Sequence, residues 1–168
     1  MGTMEDTLRV LVAEDDDIDA FLLERAFSRV GMKVPLKFVR DGQEAVDYLA
    51  AQDFVPDGSA RPLPILFLLD LKMPRLDGFD VLKWLRQHPT LRRLCVVVFS
   101  SSNEPQDINL AYDLGANSYA VKPTDPGGLE TFVRALGEYW FKRHCYPQAA
   151  VEVAGATESP PSPAADRA

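Results

Sequence analysis

Five residues of this chain have the types and the places to do chemistry together. Glu14 and Asp15 end the apolar run LRVLVA, Asp70 ends ILFLL, Ser100 ends CVVVF, and Lys122 follows SYAV. Carboxylates gathered at one spot repel, and two of them ~4 Å apart at an effective dielectric near 20 cost roughly 4 kcal/mol. They need protons, hydrogen-bond donors or a cation. With no Cys or His beside them, oxygen ligands of this kind suit a hard divalent ion. Mg2+ is the first choice and Mn2+ the alternative, since such ions keep several waters and leave positions for phosphate oxygens. The run Glu14-Asp15-Asp16-Asp17 also has a plainer reading as a helix start, where acids cap free amides and favour the positive end of the macrodipole. That reading accounts for Asp16 and Asp17. Glu14 and Asp15 sit at the strand's end and depend on the rest of the constellation.

Residues so far apart in sequence meet only if regular elements carry them to one place. From residue 8 to 146, short apolar runs alternate with longer segments of helical period, the pattern of a parallel sheet flanked by helices. The spacing predicts strands over 8–13, 36–39, 65–70, 95–100 and 118–121. The first helix carries Ile18, Phe21, Leu22, Arg25 and Ala26 on one stripe. The second follows Asp41-Gly42 and buries Ala45, Val46, Leu49 and Ala50. A third spans 78–87, begins at Asp77-Gly78 and stops at His88-Pro89. A fourth begins near 103–105 and ends at Gly115, a residue suited to a left-handed cap. The last has Asp125 as cap, Pro126 in its first turn, and Leu129, Phe132, Val133, Leu136, Trp140 and Phe141 on its apolar side. Segment 53–64, with three prolines, reads as a surface loop. Five βα units make a doubly wound α/β domain, and in such a sheet ligands bind beyond the carboxyl ends of the strands. Those ends are where the five residues fall.

Over residues 7–146 these motifs resemble the receiver domains of two-component response regulators. The resemblance rests on Glu14-Asp15 after the first strand, LLDLKMPRLDG around Asp70, Ser100 after VVVF, and YAVKP containing Lys122. The spacing from Ser100 through Gly115 and Tyr119 to Lys122 is similar to that of the chemotaxis receiver. The resemblance implies a (βα)5 flavodoxin-like fold with five parallel strands and a phosphoacceptor role for Asp70. It implies Mg2+ held by Asp15, Asp70 and the backbone carbonyl of Lys72, with Glu14 helping through water. Ser100 and Lys122 would contact the phosphoryl oxygens. Drawn inward, Ser100 would vacate space for Tyr119, a packing switch biased by phosphorylation. The domain would be no enzyme beyond catalysing its own phosphorylation and dephosphorylation.

The physical roles are consistent with this. Attack of a carboxylate on a phosphohistidine donor spreads charge over three oxygens in a loose transition state, so positioning and charge neutralisation do most of the work. Lys72, two residues past the acceptor, lies where it could slow or redirect loss of the phosphoryl group. Serine at position 100, where threonine is commoner, keeps the hydroxyl but drops a methyl, which softens the switch. His88 and His144 fall at helix C-termini, where a partial positive charge is favourable.

Rival readings meet specific obstacles. A haloacid-dehalogenase-type phosphatase needs an acid two residues past its aspartate, and here that residue is Lys72. A flavodoxin-like nucleotide binder wants a Gly- or Ser/Thr-rich loop after the first strand, and this chain has acids there. A phosphorylation-independent scaffold with the receiver fold stays an alternative.

A net charge of -7 and a pI near 4.8 argue against nucleic acid or an anionic membrane as partner. The acidic N-terminus is no signal peptide, no stretch is long enough to span a bilayer, and Cys95 and Cys145 read as reduced thiols, so a cytoplasmic protein is expected. Residues 1–6 read as a flexible N-terminus and 147–168, rich in Ala, Pro and Ser, as a disordered tail. That tail has no room for an output module, so output is expected through binding. The long 53–64 loop and the segments YDLGANSYAVKP and LGEYWFKRHCYP look similar to the small stand-alone regulators paired with bacterial phytochromes and related histidine kinases. The resemblance makes a sensor histidine kinase of phytochrome type the expected partner. Tyr139, Trp140, Phe141 and Tyr146 have two readings, a cap on the core or the surface of a homodimer or downstream partner. The dimer would form through the fourth helix, fifth strand and last helix.

Overall fold

The computed structural model describes residues 10–53 and 63–147. The expected N-terminal segment, the tail beyond Pro147, most of the 53–64 loop and the first two residues of the expected first strand lie outside the described residues. Strands β1 (Val10–Ala13), β2 (Leu36–Val39), β3 (Leu66–Leu69), β4 (Val96–Ser100) and β5 (Ser118–Val121) form one parallel sheet in the order β2-β1-β3-β4-β5. Helices α1 (Asp17–Arg29), α2 (Gly42–Asp53), α3 (Gly78–Gln87), α4 (Pro105–Asp113) and α5 (Pro126–Leu136) connect them. This is the expected doubly wound (βα)5 fold. Strand order reverses between β1 and β3, so the connections leave toward opposite faces there and open a crevice at the carboxyl ends.

Strand side chains alternate in direction and fill two cores. Leu11, Ala13, Phe67, Leu69, Val96 and Val98 face α2, α3 and α4, meeting Ala45, Leu49, Val81, Leu82, Leu85 and Ala111. Val10, Val12, Leu66, Leu68, Val97 and Phe99 face α1 and α5, meeting Leu23, Phe27, Leu129, Val133 and Leu136. β1, β3 and β4 are buried throughout, as central parallel strands covered on both faces must be. Among the described residues no helix is long and apolar enough to cross a membrane.

Caps set where the helices begin. Asp16 accepts from the N–H groups of Ile18 and Asp19, Asp77 from Asp80, and Asp125 from Gly128. Gly115 has φ +96°, the left-handed conformation expected after α4.

Two expectations about packing are corrected, and a third, which had two readings, is narrowed. α1 buries Leu23, Ala26 and Phe27, while Ile18 and Phe21 are 68% and 58% exposed. The chain carries apolar residues at two overlapping helical registers, and the sheet and α5 accept the one with Leu23 and Phe27. On α2, Ala50 points to solvent and Tyr48 packs against the core instead. The third concerns the aromatic end of the chain. α5 passes into a π-helical turn, Gly137–Phe141, that carries Trp140 into the core, where it is 8% exposed. Phe141 and Tyr146 pack against the same core, and the Tyr146 hydroxyl donates to the Trp140 carbonyl. A surface role is therefore left to Tyr139, 51% exposed. His144 lies beyond the turn, among Tyr139, Trp140 and Tyr146, with Nε2 3.5 Å from Cys95 Sγ.

Candidate functional site

The sheet's own hydrogen bonds extend one residue past each strand and place the site. Glu14 N–H donates to Val39 O at 3.0 Å, Asp70 N–H to Ala13 O at 3.1 Å, and Lys122 N–H to Ser100 O at 2.8 Å. The backbones of Glu14, Asp70 and Lys122 are thus held in register at the crevice. A tight turn supports Asp70 from below. A Cβ on Gly78 would lie 2.3 Å from Asp70 O, so only glycine lets α3 start this close to the acceptor strand.

Lys122 is the hub of the side chains. Its ammonium lies 2.5 Å from Glu14 Oε2, 2.9 Å from Asp70 Oδ2 and 3.0 Å from Asp19 Oδ2. Glu14 and Asp70 are buried, each 6% exposed. Burial pushes the Glu14 carboxyl up to about 7, against the pull of Lys122, because one ammonium shared among several acids does not offset the lost hydration. Burial alone would lower Lys122, but its bonds to Asp70 and Glu14 prevail and hold it well above the ordinary lysine value.

Glu14, Asp15 and Asp70 each offer a carboxylate oxygen, and these oxygens lie within 4.8 Å of one another. Asp15 is exposed while the other two are buried, so the cluster opens to solvent on one side. An all-oxygen, partly open cluster fits Mg2+ or Mn2+ and leaves room for waters or a phosphate. Lys72 N–H is 3.4 Å from Asp70 Oδ1, and its side chain is exposed.

Ser100 is fully buried at the end of β4, its Oγ 3.4 Å from Ser102 N. Tyr119 on β5 reaches the same loop and donates its hydroxyl to Ser102 O at 2.9 Å. Glu14, Asp15, Asp70 and Lys122 are brought together at the carboxyl edge, and Ser100 and Tyr119 stand beside the β4–α4 connection.

Two features escaped the sequence reading. Asp19, in the first turn of α1, belongs to the site through Lys122. Its position three residues after the Asp16 cap was legible, but its partner was not. Arg75, at φ +64°, binds Asp41 at the start of α2 and so ties down the turn that follows Asp70.

A parallel sheet of this order with an acidic crevice and one lysine defines the receiver class. The chain belongs to the response regulator receiver domain family, whose model matches residues 10–134. The structure of the response regulator RPA3017 in red light signaling of R. palustris is similar at TM-score 0.76 and 38% identity, covering 84% of this chain and 99% of that one. The phosphorylated cyanobacterial phytochrome response regulator RcpA is similar at TM-score 0.73 and 34% identity, with the same coverage, 84% and 99%. Response regulator Rcp1 of Synechocystis sp. is 31% identical over 140 residues, 83% of this chain and 93% of its own. Its Mn2+-bound form has been solved and matches at TM-score 0.70 over 84% of this chain and 99% of that one.

Proposed function

We propose that this chain accepts a phosphoryl group on Asp70 from the phosphohistidine of a sensor histidine kinase and passes the signal on by protein contact. The observation that carries the reading is the Asp70 carboxylate, buried, held by Lys122 at 2.9 Å, and within 4.8 Å of the Glu14 and Asp15 oxygens.

In the reaction an Asp70 oxygen forms the new bond to phosphorus as the bond to the histidine nitrogen breaks, and imidazole leaves with the electron pair. Lys122 neutralises charge on the transferring oxygens. Glu14, Asp15, Asp70 and the Lys72 carbonyl are the groups that would hold Mg2+ or Mn2+. Such an ion supplies further neutralisation of the three equatorial oxygens when bound. Ser100 contributes one hydroxyl donor to the product, and Tyr119 follows its movement.

A kinase of phytochrome type is the partner we favour, because regulators of red light and phytochrome signalling are similar along nearly their whole length. Self-association through α4, β5 and the end of α5 is supported by Leu110, Tyr112, Val121 and Tyr139, all exposed on those elements. Neither nucleic acid nor membrane enters the scheme, and the free thiols of Cys95 and Cys145 agree with a cytoplasmic site of action. Incubation with Mg2+ and acetyl phosphate should add one phosphoryl mass. Asp70→Asn or a chelator should prevent it. An unlabelled wild-type protein would overturn the reading, and phosphotransfer profiling against histidine kinases would identify the donor.

A further inference from the structure

Asp19 binds Lys122 without belonging to the metal-type cluster of Glu14, Asp15 and Asp70. Its N–H is bonded to the Asp16 cap, which fixes the first turn of α1, and its Oδ2 reaches Lys122 at 3.0 Å. The side chain is 45% exposed, whereas Glu14 and Asp70 are buried. Asp19 is therefore the solvent-exposed member of the three carboxylates on the ammonium. Lys122 already carries three carboxylates, and a phosphoryl oxygen needs one of their places.

We infer that Asp19 is a specificity-determining residue that discriminates among phosphoryl donors by charge. It occupies and partly neutralises Lys122, so every donor meets a competitor for the ammonium, and a dianionic donor meets in addition a stronger repulsion than a donor of lower net charge. This rests on the phosphoacceptor reading of Asp70 and names which donors that site resists. With acetyl phosphate, a dianion, Asp70 forms an O–P bond, the P–O bond to the acetyl group breaks, and acetate leaves with the pair. With phosphoramidate, a monoanion at neutral pH, the P–N bond breaks and ammonia leaves, its nitrogen already protonated.

The experiment compares wild type with Asp19→Asn, both with Mg2+, for labelling by each donor. Asp19 is half exposed, so water screens it; at a water-like dielectric a unit charge ~4 Å away is worth roughly a 5-fold change, and Asp19→Asn should speed acetyl phosphate labelling by that order. Phosphoramidate labelling should gain distinctly less. The difference should shrink in about 0.5 M salt, where the Debye length falls to roughly 4 Å. Magnesium affinity should change little. Equal gains with both donors, no gain, or a gain indifferent to salt would overturn the inference while leaving Asp70 as acceptor. If wild type is not labelled at all, the underlying reading fails instead. Asp19→Ser provides a second variant with the same expected order of effects should the amide perturb the helix start.

Discussion

Arg75 grips Asp41 through both Nε and Nη2, joining the turn after β3 to the first turn of α2. Asp41 is buried, and its other oxygen accepts from Glu44 N–H at 2.9 Å. Burial alone would raise the Asp41 carboxyl, but the Glu44 amide and Arg75 outweigh it and hold it below the usual range. Its contribution to stability is complete above the ordinary aspartate value and is lost as pH falls through the depressed folded value. Asp41→Ala should cost about 1 to 2 kcal/mol in urea unfolding, the worth of a helix cap. Arg75 has φ +64°, so Arg75→Gly should be more stable than Arg75→Ala by about 1 kcal/mol. Equal midpoints for the two would show that the turn carries no such strain.

Glu14 gives a pH dependence of the opposite sign. Its folded carboxyl titrates at about 7 against an ordinary 4.5, so the folded state binds the extra proton between those values. Stability from this group is full below about 4.5 and falls as pH rises to about 7. The metal-free protein should lose about 2 to 3 kcal/mol across that window on this account. Denaturation in chelator from pH 5 to pH 8 should show the decline in wild type, and Glu14→Gln should flatten it.

Tyr119 donates to the carbonyl of Ser102, while the Ser102 hydroxyl donates to Asp107 at 2.5 Å. The β4–α4 connection is thereby tied to β5 and to α4 at once. Tyr119→Phe should cost about 0.5 to 1.5 kcal/mol and leave Asp70 labelling intact. Amide exchange in residues 101–104 should speed up in the variant, and unchanged exchange there would remove Tyr119 from the control of this loop.

Trp140 and Tyr139 are neighbours with opposite fates. Trp140 is buried against α5 and the sheet, so Trp140→Ala should destabilise by about 3 to 5 kcal/mol through the cavity it leaves. Tyr139→Ala should move the unfolding midpoint little. Sedimentation of Tyr139→Ala is thus the cleaner test of self-association. A mass distribution identical to wild type's at all concentrations would exclude Tyr139 from any such contact.

The strands and the residues at their ends could be read in advance because each of those signals is local, whereas the order of the strands across the sheet is not a local signal and followed from the resemblance alone. A continuous apolar run closed by an acid, as at Leu66–Leu69 and Asp70, announces a doubly covered strand and an exposed edge in one stretch. The caps Asp16, Asp77 and Asp125 were legible for the same reason, since a cap bonds amides two or three residues away. α1 was misjudged because its sequence satisfies two helical registers, and nothing local chooses between them. Trp140 was ambiguous because a π-helical turn shifts the phase of the last aromatics by one residue in five.

What the chain determined by itself was therefore the set of elements and the chemical character of each strand's end. Only tertiary structure decided that Asp19 shares a lysine 103 positions away and that Arg75 reaches back 34 positions to Asp41. Charge pairs of this kind have no periodicity to betray them. They depend on how far one helix start stands from another strand's end, a distance set by the packing of whole layers.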